Sequence, residues 1–224
     1  MELTAAAAWL NSFFAGYDQA ILSLMHRLAV SMGGVLTPLT RLITLLGEKG
    51  LLFFLAAVVL MLFPRTRKAG VCMFGAVACG ALITNIILKD TVARPRPFET
   101  LELYRGFWEF LGSPAEDGFS FPSGHVTAAA AGMVSLCLSR GRKWALPSAV
   151  WVLAMAFSRN YLMAHYPSDV LFAAVIGAAS AFVAWGVTKL IYHFLEKYDG
   201  VYFCAFCLDF DIRQLKYAMY KGKH

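Results

Sequence analysis

Long apolar stretches interrupted by short polar turns dominate this chain. The five clearest cover residues 47 to 63, ending in LLFFLAAVVLMLF, then 69 to 88, 123 to 139, 144 to 162 and 168 to 190. A helix that crosses a bilayer needs roughly 20 mostly apolar residues, and slightly shorter ones cross where the bilayer thins. The pattern therefore predicts an all-α fold, a polytopic membrane helical bundle with five or six transmembrane helices. The first two form a hairpin about the PRTRK turn, and SRGRK and AHYPSD separate the rest.

The first 46 residues are less uniform. Ile21, Leu24, Met25 and Leu28 repeat at helical spacing, but His26 and Arg27 interrupt them, which fits either an interfacial helix or one amphipathic span. Gly33, Gly34 and Pro38 then break the pattern before a further apolar run from Leu39 to Leu46. The bundle proper is expected over residues 1 to 192, with its motif-bearing core at 47 to 190 and a short basic tail at 193 to 224.

Composition sharpens this picture. The chain of 224 residues is 59% hydrophobic and only 15% charged, with a mean hydropathy of +0.60, too apolar for a soluble domain of this size. Five cysteines without paired spacing argue against a disulfide framework, and Cys204 and Cys207 alone give too few ligands for structural zinc. The net charge of +6 is read as topology and not as a nucleic-acid surface, because Lys and Arg collect in cytoplasmic loops of membrane proteins. Arg65, Arg67 and Lys68 mark one turn and Arg140, Arg142 and Lys143 another. Both turns should share the cytoplasmic side with the tail residues Lys197, Arg213, Lys216, Lys221 and Lys223. No basic residue precedes Arg27, so a secretory signal is not expected and the N-terminus should be retained.

Counting helices from the basic turns sends residues 89 to 122 and 159 to 168 together to the opposite, extracytoplasmic face. Three clusters meet there: KDTVARPRP at 89 to 97, FPSGH at 121 to 125 and SRNYLMAHYPSD at 158 to 169. Ionisable groups are costly at membrane depth, which makes these clusters functional candidates. Lys89, Arg94, Arg96 and Arg159 offer cationic donors for phosphate oxygens, and His125 and His165 can attack or exchange protons. Pro122 fits the first position of a helix whose free amides at Ser123, Gly124 and His125 would receive an anion. Pro167 is expected to open the last span, with His165 just before it and Asp169 in its first turn, within hydrogen-bond reach of each other. A carboxylate on one imidazole nitrogen fixes the tautomer and leaves the other free as a nucleophile. The side-chain cations supply the charge stabilisation of phosphoryl transfer, so no metal and no cofactor is expected.

At these residues the sequence resembles the type 2 phosphatidic acid phosphatase family. Its signature is Lys, six residues, Arg-Pro; then Pro-Ser-Gly-His; then Ser-Arg, five residues, His, three residues, Asp. Lys89 with Arg96-Pro97, residues 122 to 125, and Ser158-Arg159 with His165 and Asp169 match at those spacings. The resemblance implies His165 as nucleophile, His125 as acid and Asp169 as the partner of the nucleophile. It also implies that Lys89, Arg96, Ser123, Gly124 and Arg159 hold the phosphate. Arg94 lies outside the strict motif and is an additional candidate for that role.

The implied partner is a membrane-embedded lipid phosphate or diphosphate, not nucleic acid. On family analogy the first expectation is an isoprenyl diphosphate such as undecaprenyl diphosphate, with phosphatidylglycerol phosphate, phosphatidic acid and lipid A phosphates as alternatives. A non-catalytic scaffold or transporter is the alternative class, against which the intact His165 and Asp169 stand. Other polar residues have blander readings: His26 and His193 as interfacial or solvated, and Glu99, Glu102, Glu109, Glu116 and Asp117, too irregularly spaced for a metal site, as solvated, charge-balancing residues on an outer loop. Phe98, Phe107, Trp108, Phe110 and Phe119 read as an interfacial belt that could also guide a lipid tail. Ala173, Gly177 and Ala181, spaced by four, predict a flat strip for close helix packing.

Overall fold

The computed structural model describes residues 3 to 213, and all of their regular secondary structure is helical. Glu2, Lys216, Lys221 and Lys223 lie outside the described residues. Helix α1 (Ala5–Phe13) is capped by the Thr4 hydroxyl, which accepts from the Ala7 amide at 3.1 Å. Helix α2 (Ala15–Ser31) follows, and α3 (Thr37–Leu46) opens with Pro38 in its first turn, where a missing N–H costs nothing.

The helix expected to begin at residue 47 does not start there. Gly47, Glu48 and Lys49 form a tight turn, with positive φ at Lys49 and Gly50, before α4 (Leu51–Met61). Helix α5 (Pro64–Ala81) runs on through a π-helical stretch, Leu82–Leu88, into the short α6 (Lys89–Val92). Two short helices, α7 (Pro97–Thr100) and α8 (Glu102–Phe110), occupy the loop expected between the second and third spans. Helices α9 (Gly124–Arg140), α10 (Ala145–Tyr161) and α11 (Pro167–Lys197) match the last three predicted segments closely. Helix α11 passes the expected start of the tail at residue 193, and α12 (Tyr202–Asp209) carries Cys204 and Cys207.

Among the described residues, three stretches are long and apolar enough to cross a membrane: Thr37–Met61, Pro64–Thr100 and Pro167–Lys197. Helix α9 is less apolar for a physical reason. It sits at the centre of the bundle, with Val126 through Gly132 buried against its neighbours, so it has little lipid to face. Helix α10 instead turns Leu146, Val150 and Leu153 outward.

Small residues let the central helices approach closely. A Cβ at Gly177 would meet the Thr127 carbonyl, lie 2.7 Å from the Ala130 Cβ and 2.9 Å from the Ala131 nitrogen, so the predicted strip on α11 faces α9. Across the core, Thr84 donates to the Thr127 hydroxyl at 3.0 Å.

The two basic turns lie side by side, as Arg140 donates to the Arg65 carbonyl at 2.9 Å. Arg67 is buried there and donates to the carbonyls of Met61, Cys207 and Leu208, which docks α12 on the same end. The helices leading away from this end bring Lys89, Arg96, His125, Arg159 and His165 together at the other.

Candidate active site

Three irregular segments set the site. After α6 the chain turns through Ala93, at φ 49°, and Arg96 becomes the extended residue before α7, its amide donating to the Glu99 carboxylate at 2.7 Å. Ser123 takes an extended conformation as N-cap of α9, so the helix begins at Gly124 and Pro122 stands one residue before the cap, not at the first helical position. The Leu162 to Tyr166 turn, with Met163 at φ 57°, presents His165 immediately before Pro167 opens α11.

A cavity of about 530 Å³ lies among these segments, lined by Lys89, Arg96, Gly124, His125 and His165, and also by Glu48, Asn85 and Glu116. Ser123 and Arg159 are fully buried behind it, and each has a polar atom without a partner, the Ser123 hydroxyl and the Arg159 Nε. Buried donors are normally paired, so two unpaired ones immediately behind a cationic cleft are compatible with a site that receives an acceptor such as a phosphate. A Cβ on Gly124 would lie 3.1 Å from the Asn85 Oδ1, a tight approach that would push the Asn85 side chain aside at this free helix end.

His165 is 2% exposed, and its Nδ1 donates to the Ser120 carbonyl at 2.6 Å. A carbonyl can only accept, so this bond puts the proton on Nδ1 and leaves the Nε2 lone pair free. The expected bond from His165 to Asp169 is absent. Asp169 accepts instead from the Ser120 hydroxyl at 2.5 Å, the Tyr166 amide at 3.0 Å and Arg94 at 2.5 Å. The reason is local: a carboxylate at the third helical position folds back to cap its own helix and cannot also reach the ring four residues earlier. Burial, then the charges of Arg159, Arg96 and His125, hold the His165 imidazole well below the usual histidine value, and the Ser120 bond offsets only part of this.

His125 faces the cavity with its Nε2 at 3.3 Å from the Glu48 carboxylate, a neighbour that the sequence reading missed. Arg96 is 2% exposed and donates to the carbonyls of Asp117, Gly118 and Ala164, so its position is fixed by backbone. Arg94 does not join the cleft. Its guanidinium is spent on Asn11, Asp18, Ser168 and Asp169 and lies over the Tyr166 ring, 3.8 Å from its centroid. Glu116 balances charge as expected but is not solvated, since it bridges the buried Arg96 and Arg159, and His26 is half-buried and stacks on Phe107 with ring centroids 3.7 Å apart. Phe98 likewise stacks on Trp108, and of the expected belt Phe98, Phe107, Trp108 and Phe119 are half-buried and Phe110 is exposed.

A match to the PAP2 superfamily covers residues 69 to 192, more than half of the chain, and the protein belongs to that superfamily. It is 28% identical over 131 residues to the undecaprenyl-diphosphatase of Sulfolobus acidocaldarius, which covers 56% of this chain and 58% of that protein. It is also 28% identical over 151 residues to undecaprenyl-diphosphatase BcrC of Bacillus subtilis, covering 67% and 75%. Identity rises to 38% over 91 residues with phosphatidylglycerophosphatase B of Haemophilus influenzae, over 37% of this chain and 35% of that one. No solved structure matches the chain.

Proposed function

We propose that this protein is an integral membrane phosphatase that removes the terminal phosphate of a lipid phosphomonoester or diphosphate. His165 Nε2 attacks phosphorus and the bond to the leaving oxygen breaks, with His125 giving that oxygen its proton. Water then attacks the phosphohistidine and gives a proton to His125, releasing inorganic phosphate and restoring both rings. Lys89, Arg96, Arg159, the Ser123 hydroxyl and the Gly124 amide hold the phosphoryl oxygens and stabilise their charge. Asp169 acts on His165 through Ser120. The observation that carries this reading is the single cleft in which two histidines and buried cations converge, with the Ser123 hydroxyl and Arg159 Nε still lacking acceptors.

The substrate we favour is an isoprenyl diphosphate such as undecaprenyl diphosphate, supported by the names of two of the relatives above. Phosphatidylglycerol phosphate is the main alternative, supported by the third. The chain crosses a bacterial plasma membrane five or six times, with the basic turns in the cytoplasm and the cleft on the extracytoplasmic side. The test is phosphate release by the detergent-solubilised protein from an isoprenyl diphosphate and from phosphatidic acid, with His165→Ala in parallel. Release that His165→Ala abolishes supports the reading. Release that survives in His165→Ala overturns the nucleophile, and none from either lipid favours a non-catalytic role.

A further inference from the structure

Glu116 occupies the middle of the cationic cleft. Its side chain is 11% exposed, its Oε1 accepts from Arg159 at 2.5 Å and its Oε2 lies 3.1 Å from Arg96. It lines the same cavity as Lys89, His125 and His165. A carboxylate that bridges two buried guanidiniums puts one negative charge and two acceptor oxygens where a phosphoryl group would bind. The backbone around it is pinned, since Arg96 holds the Asp117 and Gly118 carbonyls and the Trp108 indole donates to the Pro114 carbonyl at 3.1 Å. Only the side chain has to swing aside to open the cleft.

We propose that Glu116 is a specificity-determining residue, a resident anion that a terminal phosphate displaces and a phosphodiester headgroup does not. The proposal rests on the phosphatase reading and deepens it. The bilayer surrounds the cleft with phosphodiester headgroups, each carrying one negative charge. Such a headgroup would exchange one monoanion for another and gain no charge, while competing with a carboxylate tethered a few ångströms away at high effective concentration. A terminal phosphate carries about −1.5 to −2 charges near neutral pH and three acceptor oxygens, and so gains on both counts. The competitor weakens both ligands by the same factor, so the difference between them comes from the extra charge and oxygen of the terminal phosphate, and Glu116 sets a threshold that the phosphate clears and the monoanionic headgroup does not.

The test is Glu116→Gln in the full-length, detergent-solubilised protein. The amide keeps the size and removes the charge. Two quantities are read: inhibition of turnover by phosphatidylglycerol in mixed micelles, and the Kd of inorganic phosphate measured by calorimetry without turnover. Both are expected to tighten about tenfold or more relative to the unsubstituted protein, the size of effect that loss of one charge-assisted competitor implies. Glu116→Asp should restore part of the resistance, and it serves as the reporting variant if the Gln form does not fold. Equal phosphatidylglycerol inhibition in Glu116→Gln and the unsubstituted protein overturns the proposal. So does weaker phosphate binding in Glu116→Gln, which would make Glu116 a strut that positions the arginines. If no tested lipid phosphate is hydrolysed but phosphate binding tightens in Glu116→Gln, the resident anion stands and the phosphatase reading fails.

Discussion

His165 hands its Nδ1 proton to the carbonyl of Ser120, 2.6 Å away, while the hydroxyl of the same serine donates to Asp169 at 2.5 Å. The proposed nucleophile is thus oriented by a backbone carbonyl, and the Asp169 carboxylate holds the serine that carries it.

The arrangement makes Ser120 and Asp169 separable. Ser120→Ala keeps the carbonyl and is expected to lower kcat by less than about tenfold. Asp169→Asn also loosens the Arg94 and Tyr166 bonds and is expected to lower kcat by about 10- to 100-fold, the usual range for groups that orient an active histidine from one residue away. KM should barely change in either. Steady-state kinetics on both variants checks this, and a KM effect larger than the kcat effect would move Asp169 to phosphate binding.

Acidity offers a second check. His165 lies in a loop before α11, and burial with the nearby cations holds its imidazole well below the ordinary histidine value of about 6.5. A nucleophile must be neutral. As pH falls through about 6.5 an ordinary histidine protonates, whereas His165 stays neutral, so the acid limb of kcat/KM is expected below that value. An acid limb at or above it would contradict the assignment. The same shift means that the unfolded chain takes up this proton first, so the contribution of His165 to stability is lost as pH drops below the unfolded value.

Arg94 neutralises two buried carboxylates at once, Asp18 at 2.9 Å and Asp169 at 2.5 Å, with all three side chains at most 4% exposed. Arg94→Ala leaves both charges uncompensated and is expected to cost about 3–5 kcal/mol. Thermal unfolding in detergent measures the loss, and Arg94→Lys should fall between, because an ammonium cannot match the fork.

Gly177→Ala tests the central contact. The added methyl meets the backbone of α9 and should destabilise the bundle by about 1–3 kcal/mol, with activity retained well below the new melting temperature. A neutral effect would mean that the helices part more easily than their spacing implies.

The proposed chemistry draws its positive charge from side chains. Phosphate release is therefore expected to be unchanged by a chelator, and loss of activity restored by a divalent ion would contradict it.

The candidate cleft was legible in sequence where it is built of ionisable side chains at fixed spacing, as with Lys89, His125 and His165, which line one cavity. It was not legible where the contribution is a backbone carbonyl, as at Ser120, because any residue carries one. Nor could spacing reveal that the loop bearing Glu116 folds inward. Arg94 was misassigned because its partner Asp18 lies 76 residues away and on a helix outside the motifs. The last three helices were legible as apolar stretches set off by the polar SRGRK and AHYPSD turns, whereas the break at Gly47 to Gly50 is a turn whose two glycines the apolar run concealed.

The tie between Asp18 and Arg94 has a consequence for how the protein can be divided. The family match covers residues 69 to 192, but α2 lies before that segment and contributes Asp18, which also accepts from the amide and hydroxyl of Ser168 at 2.8 Å. The segment that defines kinship is therefore smaller than the unit that must fold. A chimera joining the N-terminal helices of one relative to the motif region of another would inherit half of a buried ion pair, and exchange would work only where aspartate and arginine travel together.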